Sequence, residues 1–149
     1  MKKFVFSMSL LGLSLAAAWT ANARDTTHIL PIAAAMETKD ASEKLNGSIK
    51  FFFGAQKSPT IVKKLGSYVS NRKTNAFGKS DEQACRWAFL SALVAFEKRA
   101  QELGANAVVN IVSYYKKNEM SSATEFECHA GAIIAGVALK GDFVTIAGE

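Results

Sequence analysis

The sequence lacks the short motifs that accompany common catalytic chemistries. It contains no Gly-x-Ser-x-Gly nucleophile turn, no His-Glu-x-x-His zinc motif and no complete Walker A loop. Gly78-Lys79-Ser80 resembles the end of a Walker A loop, but Lys73 stands where that loop has its first glycine. We therefore expect a protein that acts by binding, with no enzymatic activity and no cofactor.

Cysteine is also scarce, with two residues, Cys85 and Cys128, in a chain of 149. They do not form a Cys-x-x-Cys pair, which argues against a thioredoxin-like redox site. Neither lies near the N-terminus, so the thiol that lipid attachment requires is missing there.

Residues 1–23 have the three parts of a secretory signal. Lys2 and Lys3 provide the positive end, an apolar stretch follows, and Ala21-Asn22-Ala23 has the small-x-small form of a cleavage site. The apolar stretch is shorter than the ~20 residues of a membrane span. We predict a cleaved signal peptide and a periplasmic or secreted mature chain.

The export signal argues against nucleic acid as a partner, although the sequence pI of about 9.3 is of the kind that suggests one. Removal of 23 of the 149 residues leaves 126, a length typical of one domain, and the formal net charge falls from +5 to +3 because two lysines and no acids are lost. The remaining lysines are scattered along the chain, as on an ordinary solvated surface. We predict a single domain over residues 24–149, with self or an unknown envelope protein as partner.

Residues 80–104 have the features of a complete buried helix. Ser80 and Gln83 have the spacing of a capping box, Asp81 and Glu82 lie where the helix dipole is positive, and Gly104 can end the helix in a left-handed conformation. Apolar residues recur around most of its circumference, so we expect it to lie across a sheet.

The other segments favour strands and short helical turns. Strands are predicted at 27–32, 48–54, 61–73 and 105–117, with helical turns at 33–36 and 41–45. Residues 123–139 are predicted to return as the hairpin partner of 105–117, and 143–146 to add an edge strand. In 61–73, the face with Ile61, Leu65 and Val69 is expected to be buried. The predicted fold class is α+β: a mainly antiparallel sheet of four to five strands with one long helix packed on one face.

A disulfide between Cys85 and Cys128 is the favoured state of the two thiols. Export to the periplasm permits disulfides, and both residues are predicted to point into the layer between the helix and the sheet. Two free thiols remain the alternative, with a redox or metal role then to be considered.

Glu125, Glu127 and His129 form the nearest approach to a metal or acid–base site. Strand alternation brings all three to one face, and His28 is a further candidate ligand. Successive residues on one face lie roughly 6.6 Å apart, so a bulge is needed for all three to reach one ion. The alternative is a solvated outer face.

Residues 71–79 form a polar, basic stretch just before the long helix. Arg72, Lys73 and Lys79 could bind an anion there, because the free amides of a helix start favour negative charge. The alternative is a simple connection.

Several segments resemble a group of small, exported, uncharacterised bacterial proteins often labelled "excinuclease ATPase subunit". The likeness covers nearly the whole mature chain and is carried by Arg24-Asp25-Thr26-Thr27-His28, 71–75, Ala84-Cys85-Arg86-Trp87, 104–109, 113–119 and 127–131. That label implies nucleotide-binding loops and zinc-binding cysteine sets, and this sequence has neither.

A looser likeness covers only the helix, the Gly-Ala-Asn-Ala-Val-Val strand at 104–109 and the returning strand. These segments resemble the pentameric putative heavy-metal-binding domains and the sensor lipoprotein of the Rcs envelope-stress system. The resemblance implies a helix on a small disulfide-stapled sheet and is an argument about fold, not function. We expect a non-enzymatic envelope protein acting through binding, related to envelope stress and able to self-associate. The alternative is a protein that binds a metal or small ligand.

Overall fold

The computed structural model describes residues 23–148, so the predicted signal segment, apart from Ala23, lies outside the described residues. The strands are β1 (Thr26–Pro31), β2 (Lys50–Phe53), β3 (Ile61–Asn75), β4 (Ala107–Ser113), β5 (Glu125–Ala130) and β6 (Ile134–Ile146). The helices are α1 (Ile32–Met36), α2 (Lys39–Lys44) and α3 (Asp81–Leu103), with a 3₁₀ turn at Tyr115–Lys117. Within this part of the chain, no helix has the length and apolarity needed to cross a bilayer.

One sheet contains all six strands, and β6 is at its centre. Five of the strands follow the order β1-β5-β6-β4-β2. The sixth, β3, pairs with β6 over its whole length, along the edge of β6 that does not face β4 and β5. All pairs are antiparallel except β2–β4, which is parallel. The α+β class is confirmed, with a mixed sheet of six strands.

The long helix α3 begins and ends where the sequence predicts. The Ser80 Oγ accepts a hydrogen bond from the backbone N–H of Gln83 at 3.1 Å, and Gly104 ends the helix with a φ of 74°. Asp81 and Glu82 occupy its first turn. Its apolar side chains then fill the layer against one face of the sheet, which we call the inner face.

Aromatic rings form the centre of this inner layer. Phe89 of α3 stacks on Phe126 of β5 with ring centroids 4.2 Å apart, and Phe96 meets Phe143 of β6 edge to face at 5.2 Å. All four rings are buried. Their burial supplies much of the hydrophobic stabilisation of the domain.

The predicted disulfide is confirmed. Cys85 of α3 and Cys128 of β5 are bonded, with Cα atoms 5.8 Å apart and a sequence separation of 43. Both residues are fully buried. The bond therefore joins the helix to the sheet within the inner layer.

The predicted hairpin between 105–117 and 123–139 is wrong. β4 pairs with β6 and β2, whereas β5 pairs with β1 and with the start of β6. A turn at residues 131–133 divides the predicted return strand, where the Gly131 N–H bonds the Ile134 carbonyl at 2.8 Å. The predicted edge strand 143–146 is instead the end of the central strand, because β6 continues unbroken to Ile146.

The predicted buried face of β3 is also wrong for most of its length. Ile61 and Val69 are exposed, at 36% and 52%, while Ser70 is buried at 6%. The pairing with β6 shifts register between Lys64 and Gly66, where Gly66 has a φ of 122°. Such a bulge moves the following side chains to the opposite faces of the sheet, so the alternation read from Ile61 does not continue.

Candidate functional site

The two histidines lie on opposite faces of the sheet. In the β1–β5 register His28 is opposite Cys128, and Thr27 is opposite His129. Because the Cys128 side chain reaches α3, its neighbour His28 is on the inner side, and the alternation of β5 places His129 on the other side. We call this second side the outer face.

On the inner side, Arg24, His28 and Asp81 fix the N-terminal segment to the start of α3. Arg24 makes two parallel hydrogen bonds to the Asp81 carboxylate, of 2.6 and 2.9 Å, and the His28 Nε2 lies 2.9 Å from the same carboxylate. The bonds from Arg24, then that from His28, lower the pKa of Asp81 to about 2, against desolvation. Asp81 therefore acts as a permanent anion over the ordinary pH range.

Arg24 also reaches the turn between β5 and β6. Its guanidinium donates to the Gly131 carbonyl at 2.7 Å, which links the first residues of the described chain, α3 and the turn. A side chain at position 131 would place its Cβ 2.9 Å from the Arg24 carbonyl oxygen, so this close approach requires glycine. The turn is therefore held rigidly beside the N-terminal segment.

On the outer face, His129 lies between two carboxylates. Its Nε2 is 2.6 Å from the Glu127 Oε1, and its Nδ1 is 3.1 Å from the Asp25 Oδ1. The side chains of His129 and Glu127 are 13% and 18% exposed, whereas Asp25 is 48% exposed. Both ring nitrogens are thus engaged, and the imidazole orientation is fixed by residues of two strands.

Tyr115 covers the His129 ring. The two rings are stacked at a centroid distance of 3.4 Å and an interplanar angle of 11°. The following residues, Lys116 and Lys117, have positive φ values of 49° and 66°. Non-glycine residues in this conformation cost about 1–2 kcal/mol each, so the surrounding contacts must compensate for the strain.

Hydrogen bonds on either side of this strained segment supply part of that compensation. Ser113 and Met120 exchange two backbone hydrogen bonds, of 3.0 and 2.9 Å, which close the loop that carries Tyr115. The buried Ser113 hydroxyl accepts a further bond from the Glu127 N–H at 2.9 Å. The Tyr115 ring is therefore held over His129 by a closed loop.

Beside this stack is a cleft of about 400 Å³, which we call the outer cleft. It is lined mainly by small and apolar residues of the β5–β6 turn and by side chains of four other elements. The lining consists of Ala23, Arg24, Asp25, Lys73, Tyr115, His129, Gly131, Ala132, Ile133, Ile134 and Gly136. Ile133 and Ile134 are exposed, at 65% and 50%, which is unusual for isoleucines next to a well-packed turn.

Of the predicted metal ligands, the structure brings Glu127 and His129 into contact, with Glu125 on the same face of β5 and exposed. His28 is on the opposite face, bonded to Asp81. Over residues 23–148, no cluster of three or more histidine, cysteine, aspartate or glutamate side chains has a geometry suited to a metal ion.

The three predicted anion-binding residues lie in three different places. Lys73 lines the outer cleft, Arg72 lines a second cleft between β3 and α3, and Lys79 lies over the Trp87 ring at 5.1 Å. Arg72 and Lys73 are separated because successive side chains of a strand point to opposite faces. One shared site for all three is not formed.

Sequence reasoning missed Arg24, Asp25 and Tyr115 as members of the site. Arg24 and Asp25 are separated from Asp81 and His129 by more than fifty residues, and only the β1–β5 pairing brings them together. The one available signal was the Arg24-Asp25-Thr26-Thr27-His28 stretch, a run of charged and polar residues directly after the predicted cleavage site.

Comparisons of the chain with protein-family models, with curated proteins and with solved structures found no match.

Proposed function

We propose that this chain is a non-enzymatic periplasmic protein that binds a small amphiphilic anion in the outer cleft. One observation carries the proposal: the cleft is largely apolar, exposes two isoleucines, and has the Lys73 side chain in its wall. A ligand with an apolar body and one acidic group matches both properties. The volume of about 400 Å³ lies within the ~300–1,000 Å³ range of small-molecule sites.

Of the charged side chains around the outer cleft, Lys73 is the one available to pair with an anionic ligand. Arg24 is occupied by Asp81 and Gly131, and Asp25 is in contact with His129. Among the described residues, Lys73 forms no hydrogen bond or ion pair, while its Cγ is 3.6 Å from the position that a Gly136 Cβ would occupy. The aliphatic part of the Lys73 side chain therefore passes over β6 at Gly136, which has no side chain.

The walls of the outer cleft are arranged for binding more than for chemistry. His129 has both ring nitrogens engaged and one ring face covered by Tyr115. Arg24, also in the wall, is held by the Asp81 carboxylate and by the Gly131 carbonyl. A preformed site of this kind binds without a large ordering cost.

Export to the periplasm rests on two features of the chain. Residues 1–23 have the composition of a secretory signal, and the Cys85–Cys128 disulfide suits an oxidising compartment. The resemblance to small exported bacterial proteins agrees with this location. A role in the response to envelope stress, through a partner protein, is the wider context we propose.

The test uses the fluorescent anion 1-anilinonaphthalene-8-sulfonate as probe, with residues 24–149 expressed to the periplasm. We expect saturable one-to-one binding that is weakened about tenfold by Lys73→Gln and by Ile133→Ser. Lys63→Gln and Val62→Ser are matched controls, since Lys63 and the 69% exposed Val62 lie on β3 outside the cleft. Equal weakening by the controls, or no saturable binding, would contradict the proposal.

A metal site at His129 is the competing function, favoured by its position between the Glu127 and Asp25 carboxylates. It is tested on the same protein by calorimetric titration with zinc, copper and nickel. The amphiphile proposal expects weak heats that are unchanged in His129→Ala. Tight one-to-one metal binding that is lost in this variant would instead establish the metal function.

A further inference from the structure

A second cleft lies on the inner side of the sheet, between β3 and α3, and is independent of the outer cleft. It has a volume of about 340 Å³, and its lining consists of Tyr68, Val69, Ser70, Asn71, Arg72, Ala95, Phe96 and Arg99. Two of these residues are arginines and none is acidic. We call it the arginine cleft.

The Arg99 guanidinium is held in place with its hydrogen-bond donors unused. It stacks on the Tyr68 ring at 4.7 Å, and that ring in turn meets Phe143 edge to face at 5.1 Å. It also forms an exposed ion pair with Glu102, whose Oε2 is 3.8 Å from the Arg99 Nη1, beyond hydrogen-bond distance. The contact with the Tyr68 ring restrains the guanidinium, while its N–H groups make no hydrogen bond to the described residues and stay available for a ligand.

Arg72 supplies the second cation from the opposite wall of the arginine cleft. It belongs to β3, opposite Val137 in the register with β6. Among the residues the structure describes, its guanidinium has neither a hydrogen bond nor an ion pair, and the residue is exposed. Arg72, without a carboxylate partner, and Arg99, paired with Glu102 only at 3.8 Å, together create a site of positive potential between a strand and a helix.

Ser70 provides the observation that separates this cleft from an ordinary basic surface. Its residue is 6% exposed, and within residues 23–148 its hydroxyl has no hydrogen-bond partner. A buried hydroxyl without a partner costs about 1–3 kcal/mol, so such groups are rare unless a ligand satisfies them. Ser70 lines the cleft on the same strand as Arg72, two residues before it, and we expect its hydroxyl to donate a hydrogen bond to an anion bound there.

We infer that the arginine cleft binds a phosphoryl group, with Arg72 and Arg99 as charge partners and the Ser70 hydroxyl as a third donor. Guanidinium groups match the geometry of phosphate oxygens through paired N–H bonds, and a hydroxyl donor adds a charge-assisted bond. The cleft is large enough for a phosphorylated small molecule as well as for inorganic phosphate.

The experiment measures binding of inorganic phosphate and of glycerol 1-phosphate by calorimetry, using residues 24–149. We expect saturable binding with a Kd of about 1 mM or tighter for at least one of the two. Preference for glycerol 1-phosphate identifies a phosphomonoester as the ligand class, and equal binding identifies the phosphoryl group alone. In a heteronuclear NMR titration of the same protein, the shifts are expected at Ser70, Arg72 and Arg99.

Three variants test the assigned residues. Arg72→Gln and Arg99→Gln are each expected to weaken phosphate binding at least tenfold. Ser70→Ala is expected to weaken it roughly tenfold while leaving the thermal midpoint unchanged or raised, because no hydrogen bond is lost from the ligand-free protein. A purely structural serine would not produce this combination.

Lys98→Gln and Lys63→Gln are the controls for net charge. Lys98 is an exposed neighbour of Arg99 on α3, and Lys63 is exposed on β3 outside both clefts. Both are expected to bind phosphate as the unchanged protein does. The inference is overturned if neither phosphate compound shows saturable binding, or if the controls weaken binding as much as Arg72→Gln. A Ser70→Ala variant with a lower midpoint and unchanged affinity would also overturn it.

Discussion

The two faces of the sheet differ in what holds them together. The inner face carries a fully buried aromatic cluster and the Cys85–Cys128 bond, whereas the outer face at His129 is held by hydrogen bonds to two carboxylates, a ring stack and a closed loop. Hydrophobic burial and a covalent bond stabilise far more than such polar surface contacts do. The inner layer therefore supplies most of the stabilisation, and we expect the surface around His129 to contribute less.

Removal of the disulfide is the strongest test of the difference in stability between the two faces. We expect the Cys85→Ala, Cys128→Ala double variant to lose about 4 kcal/mol of the free energy of unfolding, because the bond closes a long loop, with a sequence separation of 43. Urea unfolding of this variant and of the oxidised protein measures the loss. A difference below about 1 kcal/mol would mean that packing alone holds α3 on the sheet.

Truncation of Phe89, the central aromatic residue, tests how much the packing of the inner layer contributes to the free energy of unfolding. Phe89→Ala is expected to cost about 3–5 kcal/mol, since Phe89 is fully buried against Phe126. Phe77→Ala is the matched control, because Phe77 is 75% exposed and its loss should change stability by less than about 0.5 kcal/mol. Similar unfolding midpoints for the two variants would contradict the proposed division between the faces.

The Asp81 cluster should produce a smaller, pH-dependent effect. Because the pKa of Asp81 is lowered from 3.8 to about 2, its contribution is complete above pH 3.8 and is lost as the pH falls through 2. The Asp81→Asn variant should lack this part of the acid dependence, measured as the free energy of unfolding against pH. Glu43→Gln, in an exposed pair with Lys39, is the control. An unchanged pH profile in Asp81→Asn would exclude the cluster as a stabilising feature.

The smallest effect is expected on the outer face. Ile133→Ser should leave the free energy of unfolding within about 0.5 kcal/mol, because Ile133 is 65% exposed, while it weakens binding of the sulfonate probe. Thermal unfolding and fluorescence titration of one preparation measure both quantities. A large loss of stability would show that the turn supports the fold. The two faces would then not differ in their contribution to stability.

Much of the inner face could be predicted from the sequence because its signals are local. Ser80 and Gly104 mark the ends of α3, and the alternation of β5 correctly places Cys128 on the helix side. The pairing of the strands could not be predicted, because β4 and β5 are close in sequence but contact different neighbours. The bulge before Gly66 likewise has no signal strong enough to show that the β3 alternation shifts.

The outer site was predicted in part, through Glu127 and His129, because strand alternation relates residues two apart. Asp25 and Tyr115 complete it from distant parts of the chain, and Lys116 and Lys117 adopt a backbone conformation that their side chains do not suggest. Contacts between distant segments depend on topology, which local patterns do not specify.

The most direct test of the account is a heteronuclear NMR titration of residues 24–149 with 1-anilinonaphthalene-8-sulfonate. We expect shifts concentrated at Lys73, Tyr115, His129 and the turn at 131–136, with the Cys85 and Phe89 amides of α3 unchanged. Shifts centred on α3, or spread evenly over the protein, would contradict the proposal that the outer cleft is the site of the amphiphilic anion.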